Sequence, residues 1–217
     1  MATRPWPLLL IVLGALGCRS VLPRSAKSEF YLLTALEPAP KTATATATAS
    51  APAPAVADPH ILLGPVALPD YLDRPELVTR LASNQLRVED LELWAEPLRA
   101  SIARTMEQNL TTLLGSDRVQ RGPWTRSSPP DLIVSVEVRR FERMLGGKVE
   151  LAARWTIYDG SGQTKRLQRE TLLSYAPAPT PSTQTAVAAM SAAVAALSRE
   201  IATGLRRVAH GQTGGGR

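Results

Sequence analysis

A mixed α/β domain, with a largely antiparallel sheet and two long amphipathic helices, is the fold class that three sequence patterns predict. Apolar and polar residues alternate with period two through 132–139 and 149–158, which is typical of half-buried strands. Apolar residues recur every three or four positions in 98–114 and again in 187–208, which is typical of helices that bury one face. Since both kinds of element need a partner for the apolar face, we expect one packed domain over residues 29–209.

The first half of this domain reads as short strands joined by turns. Residues 30–36 (FYLLTAL) and 60–68 (HILLGPVAL) are apolar runs with strand character. Residues 37–59, which separate them, are rich in Thr, Ala and Pro and carry almost no large apolar side chain, so we expect a low-complexity loop there. Residues 77–81 and 85–88 predict a hairpin.

Capping residues mark the two helices. Pro97 suits the first turn of the first helix, and Gly115 suits its C-terminal cap. Ser182 or Thr183 can cap the second helix. The Gly-rich segment 210–217 is expected to form a flexible tail.

Glycine turns connect the long strands of the second half. Gly146 and Gly147 follow the first of these strands, and residues 159–162 (DGSG) lie between the second and a third predicted at 165–174. Because the connections are short, the three strands should form an antiparallel meander.

The N-terminus has the pattern of an export signal. Arg4 supplies a positive charge before the apolar core at 8–16. This core is too short to cross a bilayer as a helix, which needs roughly 20 residues, and it matches the apolar region of a signal peptide. We therefore assign residues 1–17 to a signal peptide.

Cys18 follows directly where cleavage is expected, and it is the one cysteine of the chain. We interpret it as the lipid acceptor, as in bacterial lipoproteins, with residues 18–28 as a lipidated tether. The usual lipoprotein pattern has Leu three residues before the cysteine and a small residue two before it. Here these positions hold Ala15 and Leu16, which depart from that pattern. The alternative is an ordinary cleaved signal with an incidental cysteine.

Residue types for catalysis or metal binding are scarce. His60 begins a predicted strand and His210 lies in the predicted tail, so both are expected to be solvated rather than catalytic. We find no catalytic motif, and a single cysteine excludes a zinc site built from paired cysteines. The net charge of +6 is scattered, without a dense basic run, and does not indicate nucleic-acid binding. We predict no catalytic residues, no metal and no cofactor.

A distinctive block at 63–80 (LGPVALPDYLDRPELVTR) carries a resemblance to a known family. It is preceded by FYLLTAL and followed in order by WAEPL at 94–98, V-x-V-x-x-F at 136–141 and W-x-I-x-D at 155–159. This order resembles the PqiC-type lipoproteins, also called ABC-type transport auxiliary lipoproteins. The resemblance covers about residues 28–208.

The resemblance implies a function in transport. Such lipoproteins are outer-membrane-anchored partners, facing the periplasm, of MCE-domain periplasmic proteins and of an inner-membrane permease or a PqiA-like protein. The implied role is a non-catalytic docking component of an intermembrane lipid transport system, assembled as a homo-oligomeric ring. Arg19 follows the cysteine, where enterobacteria-like lipoproteins that are retained in the inner membrane have an Asp, and this resemblance favours the outer membrane. The alternatives from other classes are a periplasmic lipid-binding shuttle and a periplasmic enzyme.

The distinctive block supplies most of the residues that we expect at a partner or oligomer interface. The candidates are Pro69, Tyr71, Leu72, Arg74, Pro75, Arg80 and Trp94. Two alternatives remain open: Tyr71 and Leu72 fold back into the core while Arg74 pairs with an acid of the turn, and Trp94 packs at the start of the first helix rather than on the surface.

Overall fold

The computed structural model describes residues 27–38, 58–122 and 129–212. The predicted signal peptide, Cys18 and most of the predicted tether and low-complexity loop lie outside these described residues. Within them the strands and helices are β1 (Glu29–Tyr31), β2 (Ile61–Ala67), β3 (Glu76–Ala82), β4 (Gln85–Trp94), α1 (Leu98–Leu114), β5 (Val119–Arg121), β6 (Leu132–Met144), β7 (Val149–Asp159), β8 (Lys165–Tyr175) and α2 (Thr183–Gln212).

The strands form one mixed sheet centred on β6. The long pairings β6–β7, β7–β8 and β3–β4 are antiparallel, as the short connections predict. The pairings β1–β4, β2–β5 and β2–β6 are parallel, and a two-residue parallel pairing joins β3 to β6. The path β1–β4–β3–β6–β7–β8 puts β1 and β8 at opposite edges. The predicted fold class is confirmed.

Both helices pack on the sheet and on each other. α1 contacts β2 and β5, whereas α2 contacts β6, β7 and β8. α1 ends at Gly115, whose left-handed conformation (φ 67°) lets its N–H donate to the carbonyl of Thr111 at 3.0 Å. α2 is long and apolar enough to cross a membrane, but 61% of its most apolar window is buried in the domain, which is typical of a core helix.

Several element boundaries differ from the predicted ones. β4 continues to Trp94 and β6 to Met144, β5 was not predicted, and α2 extends to Gln212, so the first residues of the predicted tail are helical. β6 continues beyond the residues in which apolar and polar side chains alternate regularly, because a bulge between Val138 and Arg140 shifts the pairing with β7 by one residue.

The predicted strand at 30–36 is mostly a strap rather than a strand. Sheet pairing stops at Tyr31, and the chain then crosses the two helices. Leu33 is 1% exposed. The N–H of Thr34 donates to Ser191 Oγ of α2 at 3.1 Å, and the N–H of Leu36 donates to Asn109 Oδ1 of α1 at 2.7 Å. The apolar run therefore reflects burial against helices.

Gly204 allows α2 to lie directly on the sheet. A Cβ at this position would lie 2.9 Å from Cη2 of Trp155 and 3.0 Å from Cδ2 of Leu167. The Trp155 ring is held in place because its Nε1–H donates to Thr171 Oγ1 at 3.0 Å. A larger residue at 204 would have to lift the helix from the indole.

Candidate docking surface

The turn between β2 and β3 is tightly coiled. The N–H of Leu72 donates to the carbonyl of Pro69 at 2.9 Å, and the N–H of Asp73 donates to the carbonyl of Asp70 at 3.2 Å. This coiling points Leu72, which is 3% exposed, into the core. There it lines, with Trp94, an enclosed cavity of about 10 Å³, room for roughly one water molecule.

Ion pairs fix the outer side of the turn. Nη2 of Arg99, on α1, donates to the Asp73 carboxylate at 2.7 Å, and its Nη1 donates to the carbonyl of Val66 at 3.1 Å. Arg74 pairs with Glu76 at 2.9 Å rather than with an acid of the turn. The Arg74 hydrogen bond holds the pKa of Glu76 below its usual range. The tip of the turn is thus exposed but held to α1 and β3.

Tyr71, Arg80 and Glu142 form a cluster beneath the turn. The Arg80 guanidinium lies 5.9 Å from the centroid of the half-buried Tyr71 ring, a cation–π distance. Arg80 Nε donates to the Glu142 carboxylate, and Nη1 donates to the carbonyl of Ser83 at 2.9 Å. The side chains of Arg80 and Glu142 are 13% and 0% exposed. Because burying a lone carboxylate is costly, this pair holds β3 to β6, and the Tyr71 ring over Arg80 brings the turn against it.

The electrostatics of the cluster follow from burial. Burial first, and then the charge and hydrogen bond of Glu142, raise the pKa of Tyr71. The hydrogen bond to Glu142 raises the pKa of Arg80. Arg140 lies 3.8 Å from Glu142 and pairs with Glu150 at 2.7 Å, which extends the charges to the solvent.

A second cluster, around Arg143, joins three strands to the start of α2. Arg143 Nη2 donates to Glu89 at 2.8 Å and to Glu92 at 3.3 Å, Nε donates to Thr79 Oγ1 at 3.0 Å, and Nη1 donates to Thr183 Oγ1 at 2.9 Å. Burial acts to raise the pKa of Glu89, but hydrogen bonds from Thr79 and from arginines outweigh it and lower the pKa. Sequence reasoning named Tyr71 and Arg80 but not Glu142, and it missed the cluster around Arg143. The available signal was the charged residues at the end of the apolar strand β6.

The seven interface candidates divide into core and surface residues. Leu72 and Trp94 are 3% and 6% exposed, so they offer a partner almost no surface and the core alternative describes them. Trp94 lines the same small cavity as Leu98, at the start of α1. The remaining candidates are half-buried or exposed: Pro69, Tyr71, Arg74, Pro75 and Arg80.

The histidines do not build a site. His60 is 8% exposed, so the expectation that it is solvated is wrong. Its ring Nδ1 lies 3.2 Å from the carbonyl oxygen of Pro129, and its backbone N–H donates to the Asp131 carboxylate at 2.7 Å. These contacts fix the start of β2. His210 is exposed on the last turn of α2. Over the described ranges no group of three or more His, Cys, Asp or Glu could hold a metal ion.

Solved structures share this fold. An uncharacterised protein is 20% identical, with a TM-score of 0.65 over 83% of this chain and 99% of its own. Protein XCC0632 from Xanthomonas campestris, of the family DUF330, is 17% identical, with a TM-score of 0.64 over 86% of this chain and 99% of its own. A search of curated proteins finds no sequence match.

The family model of the ABC-type transport auxiliary lipoprotein component matches residues 38–202. The match covers most of the chain, including the turn, both charge clusters and both helices except the end of α2. The chain belongs to this family. The resemblance to the PqiC-type lipoproteins is thereby confirmed.

Proposed function

We propose that this protein is an outer-membrane-anchored lipoprotein subunit of an MCE-type intermembrane lipid transport system, where it acts as a non-catalytic docking and ring component. The observation that carries the proposal is the family match over residues 38–202. The proposed partners are an MCE-domain periplasmic protein and an inner-membrane permease or PqiA-like protein.

The proposed membrane anchor limits where the domain can lie. Eleven positions separate Cys18 from Glu29, where the sheet begins. At about 3.3–3.6 Å per extended residue, this tether reaches at most about 40 Å. A lipidated domain would therefore stay close to the bilayer, where the other proposed components would have to reach it.

The turn at 69–75 suits the docking role because it is exposed and rigid. Its backbone hydrogen bonds and the Arg99–Asp73 ion pair hold Asp70, Arg74 and Pro75 outward. A surface that is ordered before binding loses less conformational entropy when a partner binds.

The alternative function, a lipid-binding shuttle, needs an apolar cavity for an acyl chain. The cavity beneath the turn, lined by Leu72 and Trp94, measures about 10 Å³, far below the roughly 300 Å³ of a small ligand pocket. A larger cleft of about 350 Å³ between β8 and α2 is open to solvent, and its lining includes three arginines, so it does not enclose an acyl chain. This observation favours docking over carrying. Bound lipid in the purified soluble domain, residues 19–217, would favour the shuttle.

Two measurements test the proposal. Mass spectrometry of the membrane-extracted protein should show a diacylglycerol adduct on Cys18 that Cys18→Ser abolishes; an unmodified mature N-terminus would refute the anchor. Arg74→Glu should weaken co-purification with a candidate MCE-domain protein. The matched control is Arg118→Glu, an equal charge change on the exposed turn before β5. Equal co-purification of both variants would refute docking through the turn.

A further inference from the structure

The two edges of the sheet differ in charge. At the edge formed by β1 and β4, Trp94 is the one buried residue of β4, and its other residues are half-buried or exposed. Phe30 and Leu91 are 65% and 43% exposed there. Glu29 and Asp90 lie beside them, are exposed, and form no ion pair with a described residue; Lys27, two residues before Glu29, is exposed as well and offsets part of their charge. We call Glu29, Phe30, Asp90 and Leu91 the acidic edge.

The opposite edge is basic. No described strand pairs with the outer side of β8. Between β8 and α2 lies an open cleft of about 350 Å³, whose lining includes Arg169, Arg199 and Arg207. These arginines are exposed and make no ion pair within the described part of the chain. Leu172 of β8 is 72% exposed. We call Arg169, Leu172, Arg199 and Arg207 the basic edge.

The acids in the cleft do not cancel this charge. Glu170 is already paired, at 2.8 Å with Arg154 and at 3.2 Å with Arg139. Glu200 accepts a hydrogen bond from Thr171 Oγ1 at 2.5 Å. Three arginines therefore face one carboxylate that lacks a cationic partner.

We propose that the acidic edge of one copy docks against the basic edge of the next copy. The inference deepens the ring in the proposed function and rests on it. Because the two edges lie at opposite ends of the sheet, the contact is head-to-tail, and such contacts generate closed rings when the rotation closes. The contact would also cover two exposed strand edges and the apolar side chains Phe30, Leu91 and Leu172, surfaces that proteins rarely leave free.

Charge reversal tests this contact. One variant carries Arg169→Glu, Arg199→Glu and Arg207→Glu, and the other carries Glu29→Arg and Asp90→Arg. The full chain is purified in detergent, and its mass is measured by analytical ultracentrifugation across a dilution series. Each variant alone should assemble at least about tenfold more weakly than the unaltered chain, because like charges then face each other.

Mixing the variants supplies the specific readout. The first variant has two acidic edges and the second two basic edges, so a mixture should restore oligomers in which the two alternate. A simple folding defect would not be rescued in this way. Circular dichroism of each variant checks the fold.

The outcomes separate this inference from the ring itself. If the unaltered chain is a monomer, the ring and the inference both fail. If it is an oligomer that neither variant weakens, or that mixing does not restore, the ring stands and the edge contact is overturned. The contact is also overturned if the arginine variant keeps its oligomer but loses binding to phosphatidylglycerol vesicles, since the basic edge would then face lipid.

Discussion

Arg80→Met should destabilise the domain because it leaves Glu142 buried without its main cation. The side chain of Glu142 is 0% exposed and that of Arg80 is 13% exposed, so neither charge is well solvated. Removing one partner of a buried ion pair commonly costs about 3–5 kcal/mol. Arg140, at 3.8 Å from Glu142, remains as a weaker cation. We therefore expect a loss of about 2–4 kcal/mol in the free energy of unfolding.

The double variant separates lost pairing from lost packing. Arg80→Met together with Glu142→Gln removes both charges and should recover most of the loss, ending within about 1–2 kcal/mol of the unaltered chain. The exposed pair Arg74–Glu76, whose side chains are 39% and 26% exposed, is the matched control. Arg74→Met should cost less than about 1 kcal/mol.

Urea unfolding of residues 19–217, followed by far-UV circular dichroism, measures these differences. The reasoning is refuted if Arg80→Met costs no more than Arg74→Met, or if the double variant is less stable than Arg80→Met alone. Either result would mean that Glu142 is solvated or carries no buried charge.

Three further perturbations follow from the packing and the charges. Leu33→Ala should cost about 2–5 kcal/mol in urea unfolding because Leu33, within the strap, is 1% exposed, whereas Leu32→Ala, at 48% exposed, should cost little; equal costs would contradict the packing of the strap on the helices. Gly204→Ala should lower the melting temperature, although alanine favours a helix more than glycine does, because the new Cβ would lie 2.9 Å from the Trp155 ring. Gly211→Ala, where a Cβ would meet no atom within 4 Å, should not lower it. A stabilised Gly204→Ala variant would contradict the close packing of α2 on Trp155. The lowered pKa of Glu89 means that its ionised form adds stability above pH 4.5, and this stability is lost as the pH falls through the lowered pKa. Urea titrations between pH 3 and 6 should therefore show a shallower acid loss for Glu89→Gln, and an unchanged slope would argue against the ion pair.

Much of the fold follows from local patterns. The alternation in β6 and β7, the glycine turns and the two helix stripes are all visible in the sequence, and each lies where the pattern predicts it. β5 has three residues, too few for a period to show. β4 is exposed along most of its length, so it lacks the apolar alternation that would have extended its prediction to Trp94. Parallel partners such as β1 and β4 are distant in sequence, and local pattern does not determine such pairings.

The candidate site was less accessible to sequence reasoning. Whether an apolar residue in a proline-rich turn points inward depends on the turn's hydrogen bonds, which is why Leu72 could not be assigned to core or surface beforehand. The bulge after Val138 decides the faces of Glu142 and Arg143, and no alternation rule foresees it. The two edges acquire their charge contrast from segments as distant as Glu29 and Arg207, which only the sheet order relates to each other.

The most direct test of the account is the mass of the full chain in detergent, measured by light scattering with and without a candidate MCE-domain protein. The account predicts a closed oligomer that binds this protein and yields a heavier complex of fixed stoichiometry. A monomer whose mass does not change when the MCE-domain protein is added would contradict the docking and ring function, while leaving the family membership in place.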